Sequence, residues 1–375
     1  MTTRVGFVGT YPPTLCGLAT FTASLFCQLT AHPGVSGEVI RVVDTPQPAP
    51  GPEVIGELVA DDLRSTARSA AQLNAGDVAI VQHEYGVYGG PDGEQILPLL
   101  GALVVPSIVV LHTVLTAPTS HQRAVLERVV ASADAVVTMT ATARDRLVTG
   151  YAIDPRKVQV IPHGAPAWVT SQLPGFRRAQ PTILTWGLIG PGKGIEWGIA
   201  AMASLRDLAQ APRYMVAGQT HPKVLVREGE RYRNGLQRQI QELGLAATVT
   251  LDGYYRDAHA LAELVASADV VLLPYDSTEQ VTSGVLIEAV AALKPVVATR
   301  FPHAVELLGD GAGILVPHRD PEAVAGALRT LLTHREVTAG MTRAAAATAA
   351  ELLWPAVAQR YLHLAEQLLE ARVAA

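Results

Sequence analysis

Short runs of β-branched and aliphatic residues alternate with longer stretches rich in alanine and leucine along the whole chain. This alternation predicts repeated strand–helix–strand units, and therefore an α/β fold with parallel sheets. In the first half, the apolar runs predict five strands, at residues 5–10, 77–83, 107–113, 135–140 and 158–163. In the second half, they predict six more, at residues 182–188, 213–218, 248–253, 270–274, 295–299 and 314–317.

A polar connector at residues 164–181, which contains three prolines, separates the two sets of strands. Because polar, proline-rich segments are typical of linkers, we expect the two domains to span residues 1–170 and 171–354. After a break at Trp354, apolar residues recur at helical spacing and predict an amphipathic helix over residues 355–375, which needs a surface to cover.

Composition narrows the class of protein. Of the 375 residues, 49% are hydrophobic and 5% are aromatic, as is typical of α/β proteins with buried parallel strands. The net charge of −5 argues against a nucleic-acid-binding protein. It also gives no strongly cationic surface for docking to a membrane, so we expect peripheral membrane contact at most.

The cellular location is predicted from what the sequence lacks. Two cysteines, Cys16 and Cys27, fit a reducing compartment better than a disulfide scaffold. A strand pattern begins at Arg4 with no signal peptide before it. No apolar run approaches the roughly 20 residues needed to cross a bilayer. We therefore expect a cytoplasmic protein.

The most informative motif joins an apolar strand to a helix through the hydroxyl-rich turn Thr282-Ser283-Gly284. Free N–H groups at the start of such a helix suit a phosphate. Glu288 follows on the helix, and its neighbours three and four residues away are glycine, valine and alanine. A carboxylate in such surroundings needs hydrogen-bonding partners, for which sugar hydroxyls are suitable. The motif predicts an anion site with a hydroxyl-binding acid beside it.

A second motif is the glycine-rich loop from Gly187 to Gly194, which joins a strand to a helix beginning near Ile195. Lys193 lies at the start of that helix, where the helix dipole disfavours a cation unless an anion is shared there. The loop nearly matches the phosphate-binding loop of nucleoside triphosphatases, but Gly194 stands where a magnesium-binding hydroxyl is needed. We therefore disfavour that class. The simpler alternative is a surface lysine in a flexible turn.

Three histidines, His83, His112 and His163, end predicted strands of the first half. Ligands collect at the carboxyl ends of parallel strands, so at least one of the three is a candidate to face a ligand. A single histidine in such a place is more often a structural hydrogen bonder. No cysteine lies near them and no His-x-x-x-His pair occurs, which argues against a metal site.

Two loops of the first half are further candidates. Gly17, in the loop after the first strand, would let backbone amides approach a ligand closely. The loop at residues 84–94 mixes aromatic and acidic residues. It either recognises a sugar by stacking and carboxylate hydrogen bonds or is a solvated loop.

Together these motifs resemble the retaining glycosyltransferases of family 4, which have the GT-B architecture. The resemblance runs over nearly the full length and is most specific at residues 187–194, 268–274, 282–289 and 295–299. It implies an α/β protein of two facing Rossmann-like domains, an N-terminal acceptor domain and a C-terminal donor domain that binds most of a nucleotide sugar. It also implies that the C-terminal helix returns to the N-terminal domain.

The resemblance implies a role for each matching residue. In the donor domain Glu288 would hold the ribose hydroxyls, and Lys193 in its loop would hold the diphosphate. The other donor-binding residues that it implies are Gly187, Gly192, Gly253, Tyr254, Thr282, Ser283 and Gly284, with Gly253-Tyr254 along the base. In the N-terminal domain His112 would touch the donor sugar near the reacting carbon, and Gly17 would approach the diphosphate. No metal or other cofactor is implied, because cations and helix dipoles neutralise the leaving diphosphate in this family.

Two departures from the family pattern concern the sugar and the phosphates. Gln280 stands where the family has the first acid of a Glu-x7-Glu pair, so it can hydrogen-bond a hydroxyl but supplies no negative charge. Leu188 stands where the family often has an arginine. Either Lys193 and the helix amides then balance the phosphates, or Arg256 or Arg300 reaches the site.

The implied activity is transfer of a hexose from a nucleoside diphosphate sugar to a hydroxyl, with retention at the anomeric carbon. His112, Lys193 and Gln280 are the candidate catalytic residues. The donor could be GDP-mannose or UDP-glucose, and the acceptor a carbohydrate or glycoconjugate. The alternatives are an epimerase or phosphorylase of the same shape, and a sugar-nucleotide-binding protein that has lost activity.

Overall fold

The fold is seen in a computed structural model that describes residues 2–167, 180–254 and 256–374. The chain divides into two compact units. The first combines Met1–Gly164 with Trp354–Ala375, and the second is Ala165–Leu353. The domain boundary expected after residue 170, with most of the proline-rich connector, lies outside the described residues.

The first unit is built on a sheet of seven parallel strands in the order β3-β2-β1-β4-β5-β6-β7. The strands are β1 Thr3–Gly9, β2 Val35–Val43, β3 Val54–Val59, β4 Val78–His83, β5 Ser107–Leu111, β6 Ala135–Thr138 and β7 Val158–Val160. Its helices are α1 Gly17–Thr30, α2 Leu63–Leu73, α3 Ile96–Ala102, α4 Ser120–Ser132, α5 Ala141–Gly150 and the C-terminal α14 Trp354–Ala374.

The second unit is built on six parallel strands in the order β10-β9-β8-β11-β12-β13. The strands are β8 Thr182–Trp186, β9 Arg213–Ala217, β10 Val249–Asp252, β11 Val270–Leu273, β12 Val296–Thr299 and β13 Gly313–Val316. Its helices are α6 Ile195–Ala203, α7 Pro222–Glu228, α8 Arg231–Glu242, α9 Ala258–Ser267, α10 Gly284–Ala291, α11 Pro302–Leu308, α12 Pro321–Thr333 and α13 Arg335–Ala349.

The predicted fold class is confirmed, since both sheets are parallel and carry helices on their faces. All eleven predicted strands are present, but the prediction of five strands in the first half was wrong. The sequence analysis missed β2 and β3, which lie together at one side of the first sheet. Gly37, Glu38 and Arg41 interrupt the apolar pattern of β2. Gly37 and Glu38 lie in its half-buried first part, and Arg41 is buried but paired with Glu57 of β3.

The C-terminal helix α14 belongs to the first unit. Its buried residues Trp354, Val357 and Tyr361 join the same core as Phe7 and Phe21. The Trp354 ring meets the Phe21 ring edge-on at 5.1 Å, and Gly164 leaves room for the indole where an added Cβ would come within 2.1 Å. The helix therefore covers the apolar surface left by β1 and α1 of its own unit.

Strand order places a topological switch in each sheet. The connections run outward in opposite directions from β1 and β4 in the first unit, and from β8 and β11 in the second. In open parallel sheets the loops at the carboxyl ends of such strands leave a crevice that binds ligands.

Among the described helices, none is long and apolar enough to cross a bilayer.

Candidate donor site and histidine cluster

The glycine-rich loop predicted from the sequence leaves β8 at the switch point of the second unit. Gly187 has φ +113°, Gly192 +86° and Gly194 +62°, values that side chains with a Cβ rarely adopt. At Gly194 the requirement is also steric, because an added Cβ would lie 1.8 Å from the carbonyl oxygen of Pro274. The loop is therefore seated directly on the chain that leaves β11, and α6 begins at Ile195 as expected.

Lys193 lies over an aromatic ring. Its Nζ is 4.4 Å from the centre of the Tyr275 ring, a cation–π distance. Tyr275 is 1% exposed and stacks on Phe301 at 5.1 Å, so the ring is a fixed platform. No carboxylate pairs with Lys193 within the described part of the second unit. The charge of Lys193 is therefore not balanced by a carboxylate of this part of the chain, and an anion could bind to it.

A second contact fixes the same loop from the other side. The backbone N–H of Asp276 donates to the Gly192 carbonyl at 2.9 Å. The Asp276 carboxylate accepts from the Trp197 indole at 2.9 Å and has the Arg319 guanidinium 3.4 Å away. These contacts fix the lysine loop, the start of α6 and the loop after β11 relative to one another.

Glu288 lies on α10, beside the other end of the same loop. Its Oε2 accepts a 3.0 Å hydrogen bond from Nε1 of Trp186, the last residue of β8. Burial raises the pKa of Glu288 to about 7, and the indole hydrogen bond offsets only part of that rise. The isolated, apolar setting predicted for this carboxylate is therefore present. The sequence analysis did not find its partner, although Trp186 directly precedes the glycine loop.

The loops after β9 and β10 complete this surface. Gly218 passes so close to Gly187 that an added Cβ would lie 1.8 Å from the Gly187 carbonyl oxygen. The N–H of Gly218 donates to the Asp252 carbonyl at 2.8 Å, so Gly253, the residue after Asp252, lies beside the loop after β9. Tyr254 follows and is 80% exposed. The structure thus brings together Gly187, Lys193, Glu288 and Gly253 at the carboxyl ends of neighbouring strands.

The turn before α10 differs from the expectation at one residue. Ser283 caps the helix, with its hydroxyl accepting from the Leu286 N–H at 3.3 Å. Its own N–H donates to Nδ1 of His303 at 2.8 Å. The prediction that the Ser283 amide is free for a phosphate was therefore wrong, because a buried histidine of α11 already occupies it. The N–H groups of Gly284 and Val285, in the first turn of α10, have no carbonyl within the helix to bond.

Gln280 and Thr282 are tied into the same turn. The Gln280 side-chain amide donates to the Thr282 carbonyl at 3.0 Å, and its backbone carbonyl accepts from the His303 N–H at 3.3 Å. The Thr282 hydroxyl is buried without a hydrogen-bond partner among the described residues. Gln280 thus shapes the turn through its N–H₂ group, which a glutamate in its place could not do.

Of the two arginines suggested in place of Leu188, Arg256 lies beside Gly253, because its guanidinium donates to the Tyr254 carbonyl at 3.3 Å. Arg256 is paired with Asp252, its neighbour four residues back. Arg300 is exposed at the end of β12. Arg233 of α8, which the sequence analysis did not name, also approaches these loops: its guanidinium donates to the Gly218 carbonyl and would lie 3.6 Å from a Cβ at Gly253. Its position in the middle of a polar helix gave no sign of this contact.

The first unit places two of the three strand-end histidines, His112 and His163, against the ring of Phe21, while the ring of His83 meets that of Tyr85. The Phe21 ring meets the His112 ring edge-on at 4.9 Å and the His163 ring at 5.0 Å. Burial lowers the pKa of His112 to about 3, with nearby His163 and His83 adding to the effect, so the ring is neutral. Gly17, the first residue of α1, lies one helical turn before Phe21 and has open space where a Cβ would be.

The loop at residues 84–94 is packed rather than solvated. Tyr85 and Tyr88 are 9% and 5% exposed, and the Tyr88 hydroxyl donates to the Gln82 carbonyl at 2.5 Å. Their rings are therefore not available for stacking on a sugar. The acidic residues Asp92 and Glu94 lie 2.8 and 3.3 Å from the ring nitrogens of His121.

Among the described residues no cluster of three or more histidine, cysteine or acidic side chains could hold a metal ion.

Two doubly wound parallel units, one with a glycine-rich lysine loop and a buried acid at its switch point, define the GT-B class of proteins. Solved structures of that class match nearly the whole chain. A glycosyltransferase from Rickettsia africae has a TM-score of 0.75 at 15% identity, over 98% of this chain and 99% of that one. Anabaena HepE, in complex with UDP and glucose, has a TM-score of 0.74 at 16% identity, over 97% and 100%. At these identities the likeness shows the fold.

Sequence models place the chain in a family. Residues 27–167 match the model described as Glycosyltransferase Family 4, and residues 180–334 match the model described as Glycosyl transferases group 1. Together they take in most of the chain, which belongs to the glycosyltransferases of this GT-B type.

Two relatives are named as sugar transferases. A D-inositol 3-phosphate glycosyltransferase from Segniliparus rotundus is 30% identical over 65% of this chain and 55% of its own length. A GDP-mannose-dependent phosphatidylinositol dimannoside mannosyltransferase from Mycobacterium tuberculosis is 28% identical over 42% of this chain and 38% of its own. The chain thus matches little more than half the length of the first relative and less of the second.

Proposed function

We propose that this protein transfers a hexose from a nucleoside diphosphate sugar to a hydroxyl acceptor, with retention at the anomeric carbon. The proposal rests on two groups at the switch point of the second unit, neither of which has a partner of opposite charge among the described residues of that unit. Lys193 lies over an aromatic ring instead of a carboxylate. Glu288 is buried with an indole N–H as its partner, and its pKa is raised to about 7. A diphosphate would supply the negative charge that Lys193 lacks, and ribose hydroxyls would supply hydrogen-bond donors to Glu288.

The diphosphate is bound by Lys193 and by the N–H groups that open α10. Gly284 and Val285 supply those donors, and the positive end of the helix dipole adds to them. The Ser283 amide takes no part, because His303 holds it. Stabilising the charge that grows on the departing phosphate is the largest demand of the reaction, and fixed donors meet it without reorganisation.

The base and the sugar lie on either side of this anchor. Gly253 and Tyr254 flank the base, and the contacts of His112 and Gly17 with the sugar and the diphosphate remain a prediction from the family resemblance. In the transfer step the bond from the anomeric carbon to the phosphate oxygen breaks, and the bond to the acceptor oxygen forms on the same face. The acceptor proton passes to the leaving diphosphate. Because lysine and backbone donors balance the phosphates, the proposed reaction uses no metal.

The substrates are proposed by class. The donor is a hexose on a purine or pyrimidine nucleotide, such as GDP-mannose or UDP-glucose, and the acceptor is a carbohydrate or glycoconjugate. Names of relatives support this choice, since one depends on GDP-mannose and another is a D-inositol 3-phosphate glycosyltransferase. The cytoplasmic location remains a prediction.

Gln280 favours a second candidate, a protein that binds a sugar nucleotide without transferring the sugar. The glutamine amide is used within the turn, so no charged group stands where the family has its first acid. Tight donor binding with no transfer to any acceptor tested would establish this alternative. Conversion of the sugar without an acceptor would instead indicate an epimerase, and a requirement for free phosphate a phosphorylase.

Calorimetric titration with a panel of nucleotide sugars tests the site. We expect Lys193→Ala and Glu288→Ala each to weaken donor binding by about 30- to 150-fold, the equivalent of roughly 2–3 kcal/mol for a charge-assisted contact. Lys223→Ala, at an exposed lysine of α7, is the matched control. Unchanged affinity in both site variants would show that the donor binds elsewhere.

A further inference from the structure

A buried glutamine underlies the histidine cluster of the first unit. Gln82 is the next-to-last residue of β4 and is 0% exposed, within a strand otherwise made mainly of valine, alanine and isoleucine. Its side chain crosses Gly9 at the end of β1, where an added Cβ would lie 2.8 Å from Gln82 Cγ. A fully buried carboxamide is costly unless its polar atoms are used.

The carboxamide oxygen is used on His112, whereas Gln82 Nε2 is buried without a hydrogen-bond partner among the described residues. Gln82 Oε1 lies 2.7 Å from His112 Nε2. The ring is also held by the Phe21 edge at 4.9 Å, and the His112 backbone N–H donates to the His83 carbonyl at 3.0 Å. These contacts leave the imidazole one orientation, with Nε2 turned toward the sheet.

Hydrogen-bond chemistry then fixes which ring nitrogen carries the proton. His112 is neutral, because burial lowers its pKa to about 3. A neutral imidazole has one N–H and one lone pair, and a carboxamide oxygen only accepts. The proton is therefore on Nε2 and the lone pair on Nδ1. No residue in the described part of the first unit hydrogen-bonds that Nδ1.

We propose that Gln82 is a positioning residue that fixes His112 in its Nε2–H form, so that Nδ1 accepts a hydrogen bond from a hydroxyl of the bound sugar. The tautomer is a property of the free protein. The identity of the hydroxyl rests on the proposed function, in which His112 contacts the donor sugar. A site that accepts from a hydroxyl discriminates against a sugar lacking that group, because the lone pair is then left unpaired.

The tautomer is measured directly by long-range proton–nitrogen correlation on the full chain labelled with ¹⁵N-histidine. His112→Asn identifies the His112 signals. We expect Nε2–H in the native protein, loss of that single form in Gln82→Met, and a proton retained on Nε2 in Gln82→Glu, which keeps an acceptor. An Nδ1–H ring in the native protein, or an unchanged ring in Gln82→Met, would overturn the proposal.

Turnover and sugar discrimination separate positioning from a structural role. We expect Gln82→Met to lower kcat/KM for the donor about tenfold, the effect of losing one neutral hydrogen bond to the sugar. It should also reduce the preference for the normal donor over one of its monodeoxy analogues. Gln82→Glu should recover most of the loss, and it preserves the shape of the side chain if Gln82→Met fails to fold.

The matched control is Gln95→Met, at a glutamine that is 7% exposed and bonds Val59 and Thr66 away from the cluster. Equal losses of turnover in the two methionine variants, with equal losses of stability, would refute positioning. If the native protein transfers no sugar, the proposed function fails, while the tautomer measurement still decides the role of Gln82.

Discussion

Neutralising Glu288 should stabilise the free protein while weakening its hold on the donor. In the folded state burial raises the pKa of this carboxyl from 4.5 to about 7. A tenfold change in an acid dissociation constant corresponds to about 1.4 kcal/mol, so the ionised carboxylate destabilises the fold by about 3 kcal/mol above pH 7. Glu288→Gln removes the charge and keeps a side chain that can accept from the Trp186 indole.

The pH dependence has a definite direction. Between pH 4.5 and 7 the folded state holds a proton on Glu288 that the unfolded state has released. Stability therefore falls as the pH rises through this window and levels off above it. The glutamine has no proton to lose, so the free energy of unfolding of the variant relative to the native protein should grow by about 3 kcal/mol across the window.

Urea unfolding followed by tryptophan fluorescence at pH 4.5, 6 and 8 measures this difference, since Trp186 and Trp197 both lie in the second unit. Glu242→Gln, at an exposed glutamate of α8, is the control and should show no such growth. A difference between Glu288→Gln and the native protein that is the same at all three pH values would refute the reasoning. Donor affinity of the native protein should in turn fall several-fold, by up to about tenfold, from pH 8 to pH 6, because the ribose hydroxyls donate to the carboxylate form.

Substitutions at four further positions test the geometry of the donor site. Tyr275→Leu should weaken donor binding, measured by calorimetry, about fivefold, because it removes the ring under Lys193. Tyr275→Phe should keep donor binding and raise the free energy of unfolding, measured with urea, by up to about 1 kcal/mol, because the buried Tyr275 hydroxyl has no partner among the described residues. Gly194→Ala should lower stability by more than about 2 kcal/mol and Gly192→Ala by only about 1, since just the first would meet the Pro274 carbonyl; equal losses in unfolding experiments would contradict this. Gln280→Glu should lower turnover, because a carboxylate would face the Thr282 carbonyl; an increase in measured kcat would show that the lost acid is a handicap.

The sequence predicted the fold class because parallel strands buried on both faces leave a strong apolar pattern. The strands missed, β2 and β3, include the one where Gly37, Glu38 and Arg41 break that pattern. The glycine loop and the Ser283 turn were found for a related reason. Positive φ angles and helix caps restrict residue type locally, and a local restriction is visible in a short stretch of sequence.

What the sequence did not disclose are partners distant along the chain. Trp186 meets Glu288 across 102 positions and His303 meets Ser283 across 20. Spacing along one helix or strand carries no information about such pairs, because they depend on strand order. The same holds for Tyr275, which the sequence shows only as the residue after an apolar run, and for Gln82, whose partner directly follows the neighbouring strand β5.

The second unit is an insertion within the first, and this sets an order on the growing chain. Ala165 and Leu353, at its two ends, are bridged, and the Ala165 N–H donates to the Leu352 carbonyl at 2.7 Å. During synthesis on the ribosome the second unit is therefore complete before α14 is made. The first unit, although it is begun earlier, leaves Phe21 without Trp354 against it until the segment Trp354–Ala375 emerges. A chain truncated before Trp354 would thus lose the stability of its N-terminal part.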